Sequence, residues 1–245
     1  MQGFIEFFCE STLEYHNELN PLFWDHEKFD QNVRKKLLEL AKFYREDALV
    51  PDKAVKDIVI VGGNANYNYT KYSDLDLHIV VDKSKIPDCD EEILDEYLKD
   101  KKTLWKLTHD VKMYGVPVEI YIQGIDEKYG KDQGVYSLLK NKWIQKPVKT
   151  KFDPSDPVIK RKVADLKHKI EYLMGHRVDK PEILNDFKEK IRIMRQNAVR
   201  KGGEFSTENL AFKELRNLGL IDKFSDYTKK VEDTAFTLKK KKRKS

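Results

Sequence analysis

Two aspartates inside an otherwise apolar stretch, Asp74 and Asp76 in the run DLDLHIVV over 74–81, are the residues of this 245-residue chain best suited to do chemistry. Polar and apolar residues alternate there with the period of two that marks a strand. Asp74, Asp76 and His78 therefore share one face, and Leu75, Leu77 and Ile79 the other. Two carboxylates held so near each other repel unless a cation sits between them. Oxygen donors suit Mg²⁺, which often joins a few carboxylates to substrate phosphates. Upstream, Ile58, Val59, Ile60 and Val61 form an unbroken β-favouring run, expected of a strand buried on both faces. Gly62-Gly63 ends it, because glycine permits tight backbone geometry and removes the side chains that would block a ligand. His78 lies two residues, about 6–7 Å, beyond Asp76 and is expected to be packed or half-exposed rather than a ligand.

Gly62-Gly63, ten intervening residues, then Asp74-Leu75-Asp76 in an apolar strand is a pattern that resembles the DNA polymerase β-type nucleotidyltransferase superfamily, its phage-type members included. The resemblance covers roughly residues 55–125 and is silent about the substrate. It implies an α+β fold: a mixed sheet flanked by helices, followed by a C-terminal helical domain. It implies that Asp74 and Asp76 hold two Mg²⁺ ions, with Mn²⁺ as an alternative, and that a later strand adds a third carboxylate. The candidate is Glu119 in Val116-Pro117-Val118-Glu119-Ile120-Tyr121-Ile122, where apolar residues alternate with Glu119 and Tyr121. Asp110 and Asp126 stand behind it as fallbacks. The implied reaction is in-line displacement at the α-phosphate of an NTP with loss of pyrophosphate. One ion clamps the triphosphate and the other lowers the pKa of the attacking hydroxyl. Gly62 and Gly63 are expected to offer backbone N–H groups to the phosphates. Ser73 is either a phosphate ligand or a turn cap, and Lys71 and Tyr72 precede the pair within reach of the nucleotide. Asn64, Asn66, Tyr67, Asn68 and Tyr69 form either a flap over the nucleotide or an ordinary turn-rich loop.

The acceptor is open: a nucleic-acid end, a small molecule, a protein side chain or a second nucleotide. Charge bears on this choice. The formal charge is +5, but six of the 47 Lys and Arg residues fall in the run 239–244, which leaves 41 against 42 acidic residues elsewhere. A near-neutral body disfavours a long nucleic-acid track, although the basic tail at 237–245 is a possible nucleic-acid contact. No apolar run reaches bilayer-spanning length, so no membrane partner is expected. Glu6 and Glu10 and the lack of a basic n-region argue against a secretory signal. Cys9 and Cys89 are too few for a disulfide framework. A reducing cytoplasmic setting is therefore expected, that of a host cell if the protein is viral.

The elements that must position these residues follow from periodicity. Residues 1–27 read as a strap, with Leu22, Phe23 and Trp24 tucked against the core. Its start, MQGFIEFFCE, is either an amphipathic first helix or a Phe-rich peptide resembling those that direct tailed-phage proteins into capsids and are clipped after Glu, here Glu10. The second option supports a rival class, a non-catalytic virion-packaged or structural protein that keeps the fold. Residues 28–150 would form the nucleotidyltransferase core, with a helix over 28–46, a helix over 91–98 and a hairpin about Gly115. Residues 103–110 either extend a second helix or lead into a strand. Residues 151–236 read as helical: two stripes joined near Gly175 and Pro181, a break at Gly202-Gly203, then a helix N-capped by Ser206 and ended at Gly219.

Overall fold

The computed structural model describes residues 11–87 and 90–238. The expectations for 1–10, for Cys89 and for the basic run 239–244 lie outside the described residues. Two units emerge, one spanning Glu14–Lys151 and carrying the described β-structure, the other helical and spanning residues 152–238 together with 11–13. The expected strap thus divides between them. Among the described residues no helix is long and apolar enough to cross a membrane.

In the first unit, Trp24–Asp25 (β1) and Lys28–Phe29 (β2) make a two-stranded hairpin. Phe23 and Trp24 are buried beside it, whereas Leu22 is exposed. The first helix, Gln31–Asp47 (α1), starts later than periodicity suggests because Asp30 accepts from the N–H groups of Asn32 and Val33 and closes its N-terminus. Val55–Val61 (β3) and Leu75–Val81 (β4) pair antiparallel across the glycine turn. Glu91–Thr108 (α2) is one continuous helix. The stretch after Leu98 is polar, yet Trp105, three turns beyond Leu94, returns to the core. Lys112–Met113 (β5) and Val116–Gly124 (β6) form the expected hairpin about Gly115. Val135–Ser137 (β7) and Lys142–Gln145 (β8) form another.

The sheet order is β5-β6-β4-β3-β7-β8, with β4 and β6 parallel and the other pairs antiparallel. The architecture is α+β. One sheet face, with Ile58, Ile60, Leu75, Leu77, Ile79, Ile120 and Ile122, is buried in a single core with Leu37 and Tyr44 of α1 and Leu94, Leu98 and Trp105 of α2. The opposite face carries a smaller cluster of Val59, Val61 and Val135 with Val80 and Tyr129 against it. Strand β3 is therefore buried on both faces, as its unbroken apolar run requires.

The second unit comprises Pro157–Gly175 (α3), Pro181–Gly202 (α4), Thr207–Asn217 (α5) and Leu220–Phe236 (α6). Ile170 and Leu173 of α3 meet Leu184 and Ile191 of α4, Leu215 of α5 and Phe224 of α6. Gly219, with φ +69°, supplies the left-handed residue between α5 and α6. Ser206 departs from the cap expected of it. Its hydroxyl donates to the Gly203 carbonyl (2.9 Å), so its side chain closes the preceding turn and accepts nothing from the helix. Beside that turn Glu204 pairs with Lys213 at 2.8 Å. Burial raises the Glu204 pKa, but the charges of Lys213 and Arg195 and hydrogen bonds from Lys213 and Asn209 outweigh it, and the carboxyl is held below its ordinary value. A depressed carboxyl pKa adds stability above the ordinary value and loses it as pH falls through the folded one. Lys213→Met should therefore destabilise the protein at pH 7 by about 2–3 kcal/mol, below the full penalty for breaking a buried pair because 14% of the Lys213 and 19% of the Glu204 side chain remain exposed. Urea denaturation across pH should show the gap to wild type closing below the ordinary carboxylate range.

Candidate active site

Gly62 and Asp76 define the site's geometry. Gly62 adopts φ +74° and ψ −160°, a conformation that an L side chain resists. A Cβ there would fall 1.8 Å from Oδ2 and 2.7 Å from Cγ of Asp76. The Asp76 carboxylate thus lies where any side chain at 62 would have to go. Register explains the approach: Val61 pairs with Asp76 across β3 and β4, so the first glycine after β3 passes beside the first acidic residue of β4. A Cβ on Gly63 would lie 3.0 Å from Oγ of Ser73, so the second glycine meets the residue before Asp74 in the same way.

A buried asparagine ties these two stretches together. Asn64 donates from Nδ2 to the carbonyls of Asp74 (2.8 Å) and Ser73 (3.3 Å), accepts from Asn20 at Oδ1 (2.8 Å), and offers its own carbonyl to the Trp24 indole N–H (2.7 Å). Trp24 is in turn stacked on Trp143 at 4.7 Å. Asn64, Asn66 and Asn68 are all buried. Tyr69 stacks on His16 at 3.8 Å. The Ser73 hydroxyl accepts from the Thr70 N–H at 2.9 Å, the bond of a turn cap. Lys71 and Tyr72 are exposed, with the ammonium 5.1 Å from the Tyr72 ring.

Glu119 joins the pair through the sheet. It is the direct register partner of Asp76 on the parallel strand β6, which puts the two backbones about 4.8 Å apart and both side chains on the same face. Asp74 and Glu119 also line one cleft of about 290 Å³, walled by Lys102 and Lys106 of α2, by His109 just after it and by Asp110. Lys102 places its ammonium 3.3 Å from Glu119 and 5.1 Å from the Tyr121 ring. Of the two fallbacks, Asp110 pairs with Lys112 at 2.8 Å on the cleft's rim. Asp126 follows Gly124, whose register partner is Val81 at the other end of β4, and so stands away from Asp76. His78 continues the same face. Its Nδ1 lies 2.7 Å from Oε1 of Gln123. Burial, reinforced by Lys102, holds its pKa below the ordinary histidine value despite the opposing pull of Gln123 and Glu119, which keeps it neutral at pH 7. Burial, then Glu127, pushes the Tyr121 phenol up to about 12, so it remains protonated.

Asp76 and Glu119 are hard oxygen donors, partly exposed and side by side, and such a pair suits a divalent cation. Among the described residues no three His, Cys, Asp or Glu side chains converge closely enough to hold a metal together. Lys102, Lys106 and His109 escaped the sequence reading, although the spacing of four puts Lys102 and Lys106 on one face of α2, which His109 follows directly. The signal was hidden because the apolar pattern breaks after Leu98. Gly62→Ala should displace the Asp76 carboxylate and cut turnover by about 100-fold or more, the scale of a 1 Å misplacement. Steady-state kinetics alongside circular dichroism would separate that loss from unfolding.

Comparison with known proteins places the chain. No curated protein matches it. Among solved structures it is similar to the E. coli MS115-1 CdnC:HORMA-deltaN complex, with 13% identity, 91% of this chain and 89% of that one covered, and a TM-score of 0.27. It is similar to the Elizabethkingia meningoseptica CdnE cyclic dinucleotide synthase with GTP and Apcpp, with 14% identity, 84% and 83% covered, and a TM-score of 0.25. It is also similar to the STING-associated CdnE c-di-GMP synthase from Capnocytophaga granulosa, with 12% identity, 84% and 83% covered, and a TM-score of 0.20. The family model for the nucleotidyltransferase domain matches residues 37–244, which include both glycines of the turn and all three carboxylates. The chain belongs to the nucleotidyltransferase family and is an enzyme that uses NTPs for nucleotidyl transfer.

Proposed function

We propose that this nucleotidyltransferase is Mg²⁺-dependent, that the neighbouring Asp76 and Glu119 hold its divalent ions and that Asp74 joins them once an ion draws the carboxylates together, moving a nucleoside monophosphate from an NTP to a hydroxyl-type acceptor. The observation that carries this is the register pairing of Asp76 with Glu119 beside the bare backbone of Gly62. A bound divalent ion would supply charge neutralisation at the phosphates and a lowered pKa for the attacking hydroxyl. The chain's own residues would do the rest. Asp76 would hold its carboxylate at a fixed place because Gly62 leaves room for it. Asn64 would keep Asp74 beside it by fixing the backbone on either side. Gly62 and Gly63 would present their N–H groups to the phosphates, with the Ser73 hydroxyl against Gly63. Such a site works by placing charge before the reaction starts, not by covalent chemistry.

The 245-residue protein incubated with each α-labelled NTP and Mg²⁺ should release pyrophosphate and yield a labelled product. Separation into protein, nucleic-acid and small-oligonucleotide fractions would identify the acceptor. Asp76→Asn should lower that rate by roughly 1000-fold, the scale of removing a main electrostatic contributor to a transition state, with an unchanged circular dichroism spectrum. Asp74→Asn should behave alike. Undiminished labelling by the double variant would end the assignment.

A further inference from the structure

We propose that Lys102 is a built-in competitor for divalent metal at Glu119: its ammonium balances the carboxylate until metal displaces it, and it thereby sets how much metal the enzyme requires. The inference rests on the reading that Asp76 and Glu119 bind metal, and it assigns a residue which that reading leaves out.

Asp76 and Glu119 are neighbours across two parallel strands and face the same way. Two carboxylates so placed repel each other, and the cost falls when a cation comes close. Lys102 is such a cation, 3.3 Å from Oε1 of Glu119. Its backbone is fixed, because α2 is anchored to the sheet by the buried Leu98 and Trp105 on the turns before and after it. Its ammonium lies over the Tyr121 ring, 5.1 Å from the centroid, which favours this one direction among the many a lysine can take. The pair is nevertheless open to solvent: 34% of the Lys102 side chain and 35% of the Glu119 side chain are exposed. Ion pairs that exposed are weak and exchange readily. A single positive charge on a flexible stem can therefore hold Glu119 in place and still yield to a divalent ion, at a cost in metal affinity.

The test uses the full chain and Mn²⁺ as the probe, with free Mn²⁺ read by electron paramagnetic resonance in the absence of nucleotide. Lys102→Met should bind Mn²⁺ roughly tenfold more tightly than wild type, the order expected when one unit charge leaves a half-exposed site. The same variant should reach half-maximal transfer at correspondingly lower Mg²⁺. Lys102→Arg keeps the charge and should match wild type. Equal or weaker Mn²⁺ binding by a folded Lys102→Met overturns the inference and leaves the metal reading intact. If Lys102→Met does not fold, tighter binding by Lys102→Gln supports the inference, and wild-type affinity in that variant overturns it. Absence of Mn²⁺ binding in wild type and all variants overturns the metal reading, and this inference with it.

Discussion

The contact between the Gly62 backbone and the Asp76 carboxylate is the constraint on which this site depends. A carboxylate close to a peptide backbone needs a position with no Cβ, and it needs the chain to leave β3 in a conformation that L side chains rarely adopt. Glycine meets both needs at once. The antiparallel register of β3 and β4 then puts Asp76 opposite the last residue of β3, so strand pairing sets the point from which the carboxylate projects. The parallel register of β4 and β6 sets Glu119 beside it by the same logic. The carboxylates therefore inherit the rigidity of the central strands, which are buried on the helix-covered face.

Placing like charges together has a cost, and the surroundings offset it in two ways. Asn64, buried and fully engaged, fixes the stretch that carries Asp74 by two bonds to backbone carbonyls, and it is itself held by Asn20 and Trp24. On the other side, α2 turns Lys102 and Lys106 toward the cleft, with His109 just past its end. Positive charge from a helix thus faces negative charge from a sheet across a small open volume. Positioning of charge, rather than a nucleophile, is what such a site offers a phosphate-bearing substrate.

Much of this was legible in the letters. The strands around the glycine turn followed from an apolar run and from strict alternation, the hairpin about Gly115 from apolar residues on either side of a glycine, and the end of α5 from Gly219. The misjudged boundaries have local causes. Helix α1 begins after Lys28–Phe29 because those residues pair with β1 and Asp30 supplies the cap. Helix α2 runs on to Thr108 because a polar stretch does not end a helix whose next core residue, Trp105, falls three turns after Leu94. Ser206 sits at a helix start yet bonds backwards, since the Gly203 carbonyl lies within its reach first.

What the sequence determined by itself was the family, the glycine turn, the aspartate pair and the identity of Glu119 as a strand-borne acid, because each is a matter of residue type at short spacing. What only the tertiary structure decided was which groups surround them. Lys102 meets Glu119, Trp24 meets Asn64, and Gly62 meets Asp76 across 17, 40 and 14 residues of chain, respectively. Local periodicity carries no information over such distances. Those meetings arise from strand register and helix docking, and both are set by the burial of apolar faces that the whole core shares.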